Sequence, residues 1–139
     1  MTDTAVKELV ARLEKTTCGD NDLDRDIAIA LGWTPPAMGL PHWHDEKGNH
    51  WSALPDWSTS IDDALALVDR VLGVDSDTLC YSYDLNYHCY AHEGMAYVAT
   101  LHLAAGNPAD MRKADAQAPT LPLAIVLATL RALHAKATP

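Results

Sequence analysis

A chain of 139 residues with 48% apolar content can bury a core of its own, so one domain spanning residues 1 to 139 is expected. Nineteen acidic residues against ten basic ones give a formal charge of -9, which repels phosphate backbones and anionic membranes and argues against direct nucleic-acid or membrane binding. No Phe accompanies the four Trp and five Tyr, so aliphatic side chains must fill most of the interior.

Residues 5 to 14 set Ala5, Val6, Leu9, Val10 and Leu13 at helical spacing against Lys7, Glu8, Arg12 and Glu14. Cys18-Gly19-Asp20-Asn21 breaks this helix. A second starts at the acidic group and runs through Leu23, Ile27 and Leu31 to Gly32, a natural residue just past a helix end, so the two helices should form a hairpin. From Trp33 to Asp56, Pro35, Pro36, Gly39, Pro41 and Pro55 exclude a helix. There, His42-Trp43-His44 and His50-Trp51 flank Asp45-Glu46-Lys47-Gly48-Asn49, which reads as a β-hairpin with a five-residue loop.

Ser60 with Asp63 resembles a capping box, and Ile61, Leu65, Val68 and Leu72 mark one face of a third helix that Gly73 stops. Alternation at period two through Leu79, Tyr81 and Tyr83, and again through Tyr97, Ala99, Leu101 and Leu103, predicts two antiparallel strands. Gly106 to Gln117, with Asn-Pro, mixed charge and small residues, reads as an exposed connection. Thr120 caps a last helix that is apolar almost all round and belongs at the centre of the packing. Its segment 121 to 133 is shorter than a membrane span and carries Arg131. Three cysteines without framework spacing, Cys18, Cys80 and Cys89, and no leader-like start, lead to the expectation of a reduced, cytoplasmic protein.

Four groups of residues carry candidate chemistry. The acids from Asp20 to Asp26 imitate the opening of a calcium loop, but Arg25 stands where an EF-hand needs Gly and Leu31 where it needs Glu, so helix capping explains them. His42 and His44 would share a strand face, with His50 opposite, as the one candidate for a metal site; the expectation is no metal and no cofactor. Tyr83, Tyr87 and Tyr90, with His88 and His92, form a dense polar-aromatic segment suited to an interface or ligand surface, to which Trp43 and Trp51 are added as candidate binding residues. No nucleophile elbow, phosphate loop or Walker lysine occurs, so no catalytic residue is assigned.

Leu23-Asp24-Arg25 leading to Ala30-Leu31-Gly32-Trp33, Ser58-Thr59-Ser60-Ile61-Asp62-Asp63-Ala64-Leu65, and the run from Ala116 through Thr120-Leu121-Pro122 to Ala132 together resemble the phage ABA-sandwich domain of small phage and prophage proteins. That resemblance covers most of the chain and implies an α+β fold, a small antiparallel β-sheet sandwiched by α-helices. Relatives tend to carry Thr-Pro together where Leu121 intervenes here, and the Tyr/His-rich segment is individual. The expected function is a non-enzymatic phage accessory protein that binds, and thereby inhibits, a host protein such as an antiviral defence component, with acidic charge able to imitate nucleic acid. Two alternatives belong to other classes. One is a protein sequestering a small-molecule or nucleotide signal on Trp33, Trp43, Trp51 or Trp57; the other is a histidine-based metal-dependent enzyme. A homodimer is compatible with so small a domain.

Overall fold

The computed structural model describes residues 3–39, 41–72, 79–90, 94–105 and 112–137. In chain order these give α1 (Asp3–Leu13), α2 (Asn21–Ala30), β1 (Trp43–His44), β2 (His50–Trp51), α3 (Ile61–Leu72), β3 (Leu79–Tyr90), β4 (Gly94–Ala105), β5 (Arg112–Ala118) and α4 (Leu121–Ala137), an α+β fold. The long strands form one antiparallel sheet in the order β3-β4-β5, and β1-β2 is a separate hairpin.

Helix ends follow local chemistry. Asp20 caps α2, its carboxylate accepting from the Leu23 amide at 2.7 Å. At the other end Gly32, at φ 91°, permits the Schellman turn: the Gly32 amide donates to Ile29 and the Trp33 amide to Ala28, each at 3.0 Å. This turn delivers Trp33 into the interior, where it is buried. Thr120 caps α4 through its hydroxyl, which accepts from the Leu123 amide at 3.4 Å. Ser60 accepts from the Asp63 amide at 3.3 Å, but Asp63 does not reach back to Ser60 as a capping box requires. Its carboxylate instead accepts from the Asp56 amide at 2.8 Å and pins the approach to α3.

α4 is the core element. Every residue from Pro122 to Leu130 is buried, and the helix packs on β4 and β5 as well as on α1 and α3. α1 contributes Val6, Leu9 and Leu13 to the same core, and Arg131 of α4 ties the residue just past α1 to β5, pairing with Glu14 at 3.1 Å and donating to the Asp115 carbonyl at 2.9 Å.

Two expectations are corrected. Residues 112–118 are not an exposed connection but the third strand, paired antiparallel to β4 with Ala116 opposite Ala99 and Ala118 opposite Tyr97. The period-two signal is present, since Ala116 and Ala118 are buried while Asp115 and Gln117 are exposed. It is muted because alanine carries little hydrophobic contrast and weak strand preference. On α3 the buried stripe is Ala64, Leu67 and Val68, while Ile61 is 44% exposed, so the packed face is rotated from the one traced through Ile61. Gly73 and the segment 106–111 lie outside the described residues.

Candidate functional site

The hairpin forms with the expected loop, pairing Trp43 with Trp51 and His44 with His50. Its floor is a two-way bridge to the segment after α2: the Thr34 amide donates to the His44 carbonyl at 2.8 Å, and the His44 amide to the Thr34 carbonyl at 3.0 Å. Trp33 and the hairpin are thereby held side by side.

Asp45 organises the loop from within. Its Oδ1 accepts from the Lys47 and Asn49 amides, each at 2.9 Å, as an Asx-type turn does. Its Oδ2 accepts from Asn49 Nδ2 and Trp51 Nε1, each at 3.1 Å, and from Arg70 Nη2 at 2.6 Å. Burial alone would raise its pKa, yet the hydrogen bonds from Trp51, Asn49 and Arg70 outweigh it and hold the carboxyl well below the usual range. Arg70 also pairs with Glu46 at 3.1 Å.

The Arg70 guanidinium stands 5.0 Å from the Trp33 ring and 5.7 Å from Trp51, a cation held against two aromatic faces. Trp33 meets Trp51 in a tilted pair at 5.3 Å and Trp57 edge-on at 5.2 Å. Between these side chains and Ala53, Leu54, Pro55, Asp63 and Ala66 lies a cleft of about 260 Å³. Two donors belonging to its lining residues, Trp33 Nε1 and Arg70 Nε, are buried without a hydrogen-bond partner among the described residues. Such orphaned donors are uncommon in folded proteins and cost roughly 1–3 kcal/mol each.

A second cleft, about 370 Å³, adjoins Trp43, with Asp22, Asp24, Arg25 and Asp56 around it. Arg25 lies 5.7 Å from the buried Trp43 ring. Asp24 is buried and accepts from the Ser58 amide at 2.8 Å; burial, only partly offset by that bond, pushes its pKa up. The acids around α2 are therefore engaged as a cap and a tertiary clasp.

Of the predicted site residues, Trp33 and Trp57 line the cleft and the rest of those described divide between the two sheets. Trp51 joins the cleft, whereas Trp43 is buried opposite it in the hairpin register. Tyr83, Tyr87, His88 and Tyr90 all fall on β3, opposite Leu101, Tyr97, Ala96 and Gly94 respectively, and His92 lies outside the described residues. The three histidines of the hairpin do come together, with ring centroids 4.5 Å apart for His44 and His50 and 6.3 Å for His42 and His50. No group of three or more His, Cys, Asp or Glu among the described residues is arranged to hold a metal ion.

Asp45 and Arg70 were not singled out from the sequence. An Asp directly before Glu-Lys-Gly-Asn is an Asx-turn signal and could have marked Asp45. Nothing local points from it to Arg70, 25 residues away.

Comparison with protein-family models, curated proteins and solved structures finds no match to this chain. No helix among the described residues is long and apolar enough to cross a membrane.

Proposed function

We propose that this chain is a non-enzymatic accessory protein that acts by binding a host protein, and that the cleft formed by Trp33, Trp51, Trp57 and Arg70 is its recognition site. The observation that carries the reading is the pair of buried, unpartnered donors on an aromatic cleft, a combination that a bound acceptor would relieve. Trp and Arg are also the residue types that dominate binding hot spots. Catalysis is disfavoured by the lining itself. Arg70 is held by Asp45, Asp63 accepts from the Asp56 amide, and among the described residues no Ser, Thr or Cys lines the cleft to serve as nucleophile.

The phage setting, the inhibition of an antiviral defence component and a cytoplasmic site of action rest on the resemblance to the phage ABA-sandwich domain. So does the arrangement of helices on both faces of the sheet. A second reading uses the same cleft: its Trp side chains offer apolar ring surface to a small molecule, making the protein a sequestering agent.

Affinity capture from host lysate separates the two. Ala66 is an exposed residue of α3 that lines the cleft, so Ala66→Lys fills its mouth while keeping a good helix former. A stoichiometric partner retained by the wild type and lost by Ala66→Lys is the expected result. A partner lost instead by the Tyr83, Tyr87 and Tyr90 to Ala variant moves the site to β3. With no partner in any arm, the sequestering reading takes over. A small-molecule screen by thermal unfolding then checks it, since a ligand at 100 times its Kd adds about 2.7 kcal/mol.

A further inference from the structure

The chemistry of the cleft narrows what can fill it, given the reading of that cleft as the binding site. Its unsatisfied polar atoms, Trp33 Nε1 and Arg70 Nε, are both donors. An indole N–H and a guanidinium N–H can only donate, so the occupant must bring acceptors. The surrounding charge is negative: Arg70 is answered by Asp45 and Glu46, and Asp63 lines the cleft as a further acid. A phosphate or a free carboxylate would therefore meet three carboxylates for one guanidinium.

An X–Pro unit satisfies these constraints together. Its tertiary amide presents a carbonyl acceptor and no N–H, and its ring is a compact apolar body that packs on aromatic walls. Extended proline-rich segments already hold the polyproline II conformation, and they dock on aromatic-lined grooves with little entropy left to lose. The chain itself supplies an instance, since its own Leu54-Pro55 is half-buried along the cleft beside Trp33, Trp51 and Trp57. Ala53 is exposed, Leu54 and Pro55 are half-buried, and among the described residues no hydrogen bond holds them, so an occupant would reach the buried donors by displacing this wall. We propose that the cleft binds a proline-containing extended peptide segment of a partner protein, with X–Pro carbonyls accepting from Trp33 Nε1 and Arg70 Nε and a Lys or Arg flanking the proline toward Asp63 and Glu46.

The test is selection of a randomised peptide library on the full chain, with counter-selection on Ala66→Lys. One selected peptide, its Pro→Ala version and its version with the flanking base changed to Glu are then titrated while the indole N–H resonances are followed by NMR. The expected result is recovery of X–Pro sequences with adjacent Lys or Arg and a saturable shift of the Trp33 indole N–H. Binding should weaken about tenfold for the Pro→Ala peptide and about tenfold again for Trp33→Phe, which removes the donor and keeps an aromatic ring. A selection yielding no cleft-dependent peptide, or cleft-dependent peptides indifferent to Pro→Ala, overturns the proposal. So does a saturating peptide that leaves the Trp33 indole N–H unmoved, a readout that stands even if Trp33→Phe fails to fold. A host partner lost by Ala66→Lys whose binding does not depend on X–Pro would overturn this inference alone and leave the cleft as the recognition site.

Discussion

Arg70 reaches from α3 into the hairpin loop to donate to Asp45 at 2.6 Å, while its guanidinium lies against Trp33 and Trp51. Asp45 is 5% exposed, so removing either partner strands a charge in a largely desolvated place. Asp45→Ala should destabilise the fold by about 3 kcal/mol, because it also leaves the Lys47 and Asn49 amides and the Trp51 indole without their acceptor. Arg70→Met keeps the stem over the rings and should cost less, about 1–2 kcal/mol. The two losses should not add. A coupling of about 1 kcal/mol or more in a urea-unfolding double-mutant cycle is expected, and additivity would mean that the pair does not hold hairpin to helix.

Gly19 is required by proximity rather than by backbone angle. A Cβ at this position would lie 2.2 Å from the Ser58 carbonyl oxygen and 2.6 Å from the Ser58 Cβ. The clash falls where α2 is fastened to the segment before α3: Ser58 donates its amide to Asp24 at 2.8 Å and its hydroxyl to the Asp20 carbonyl at 3.1 Å. Gly19→Ala must push these elements apart, with an expected cost of about 2 kcal/mol in thermal or urea unfolding. Ordinary Gly→Ala behaviour in a loop, neutral to slightly stabilising, would contradict this close approach.

What the sequence made legible was local. Gly32 as a helix terminator, Asp20 and Thr120 as caps, the Trp43–Trp51 and His44–His50 register and the buried character of α4 all follow from patterns a few residues long. Trp33, Trp51 and Trp57 stood among the stacking candidates, but their convergence with Arg70 was not legible, because the four come from different segments. The Schellman turn, the Thr34–His44 bridge and the bonds of Asp45 to Trp51 and Arg70 bring Trp33, Trp51 and Arg70 together. Tyrosine density pointed to β3 instead, since local enrichment is visible in a sequence and a convergence of distant residues is not.

The strand status of residues 112–118 has its own test. Ala116 is 2% exposed, pairs with the fully buried Ala99, and sits on a strand against which α4 packs. Alanine here leaves room for the helix to approach, and a larger side chain overfills the layer. Ala116→Leu should lower stability by about 1–3 kcal/mol, whereas Gln117→Leu, at an exposed position of the same strand, should change it by less than about 0.5 kcal/mol. Equal, negligible effects at both sites are what an exposed connection would give.

Acid should act on the two buried aspartates in opposite directions. Asp45 has its pKa lowered from the usual 3.8, so the unfolded chain takes up its proton first. Its stabilising contribution is complete above about pH 4 and is lost progressively as the pH falls further toward its depressed folded value. Asp24 has its pKa raised, so the folded chain takes up its proton first. Its charged form is a liability at neutral pH, and that liability is relieved as the pH falls through the raised folded value. Urea midpoints measured from pH 7 downward should therefore hold or rise slightly in mildly acidic solution and then fall below about pH 4. Asp24→Asn, which keeps an oxygen for the Ser58 amide, should be close to neutral or stabilising at pH 7 and abolish the mild-acid gain. Asp45→Asn should be destabilising at pH 7 and flatten the fall below pH 4. A wild-type profile that declined steadily from neutrality would rule out the opposed signs.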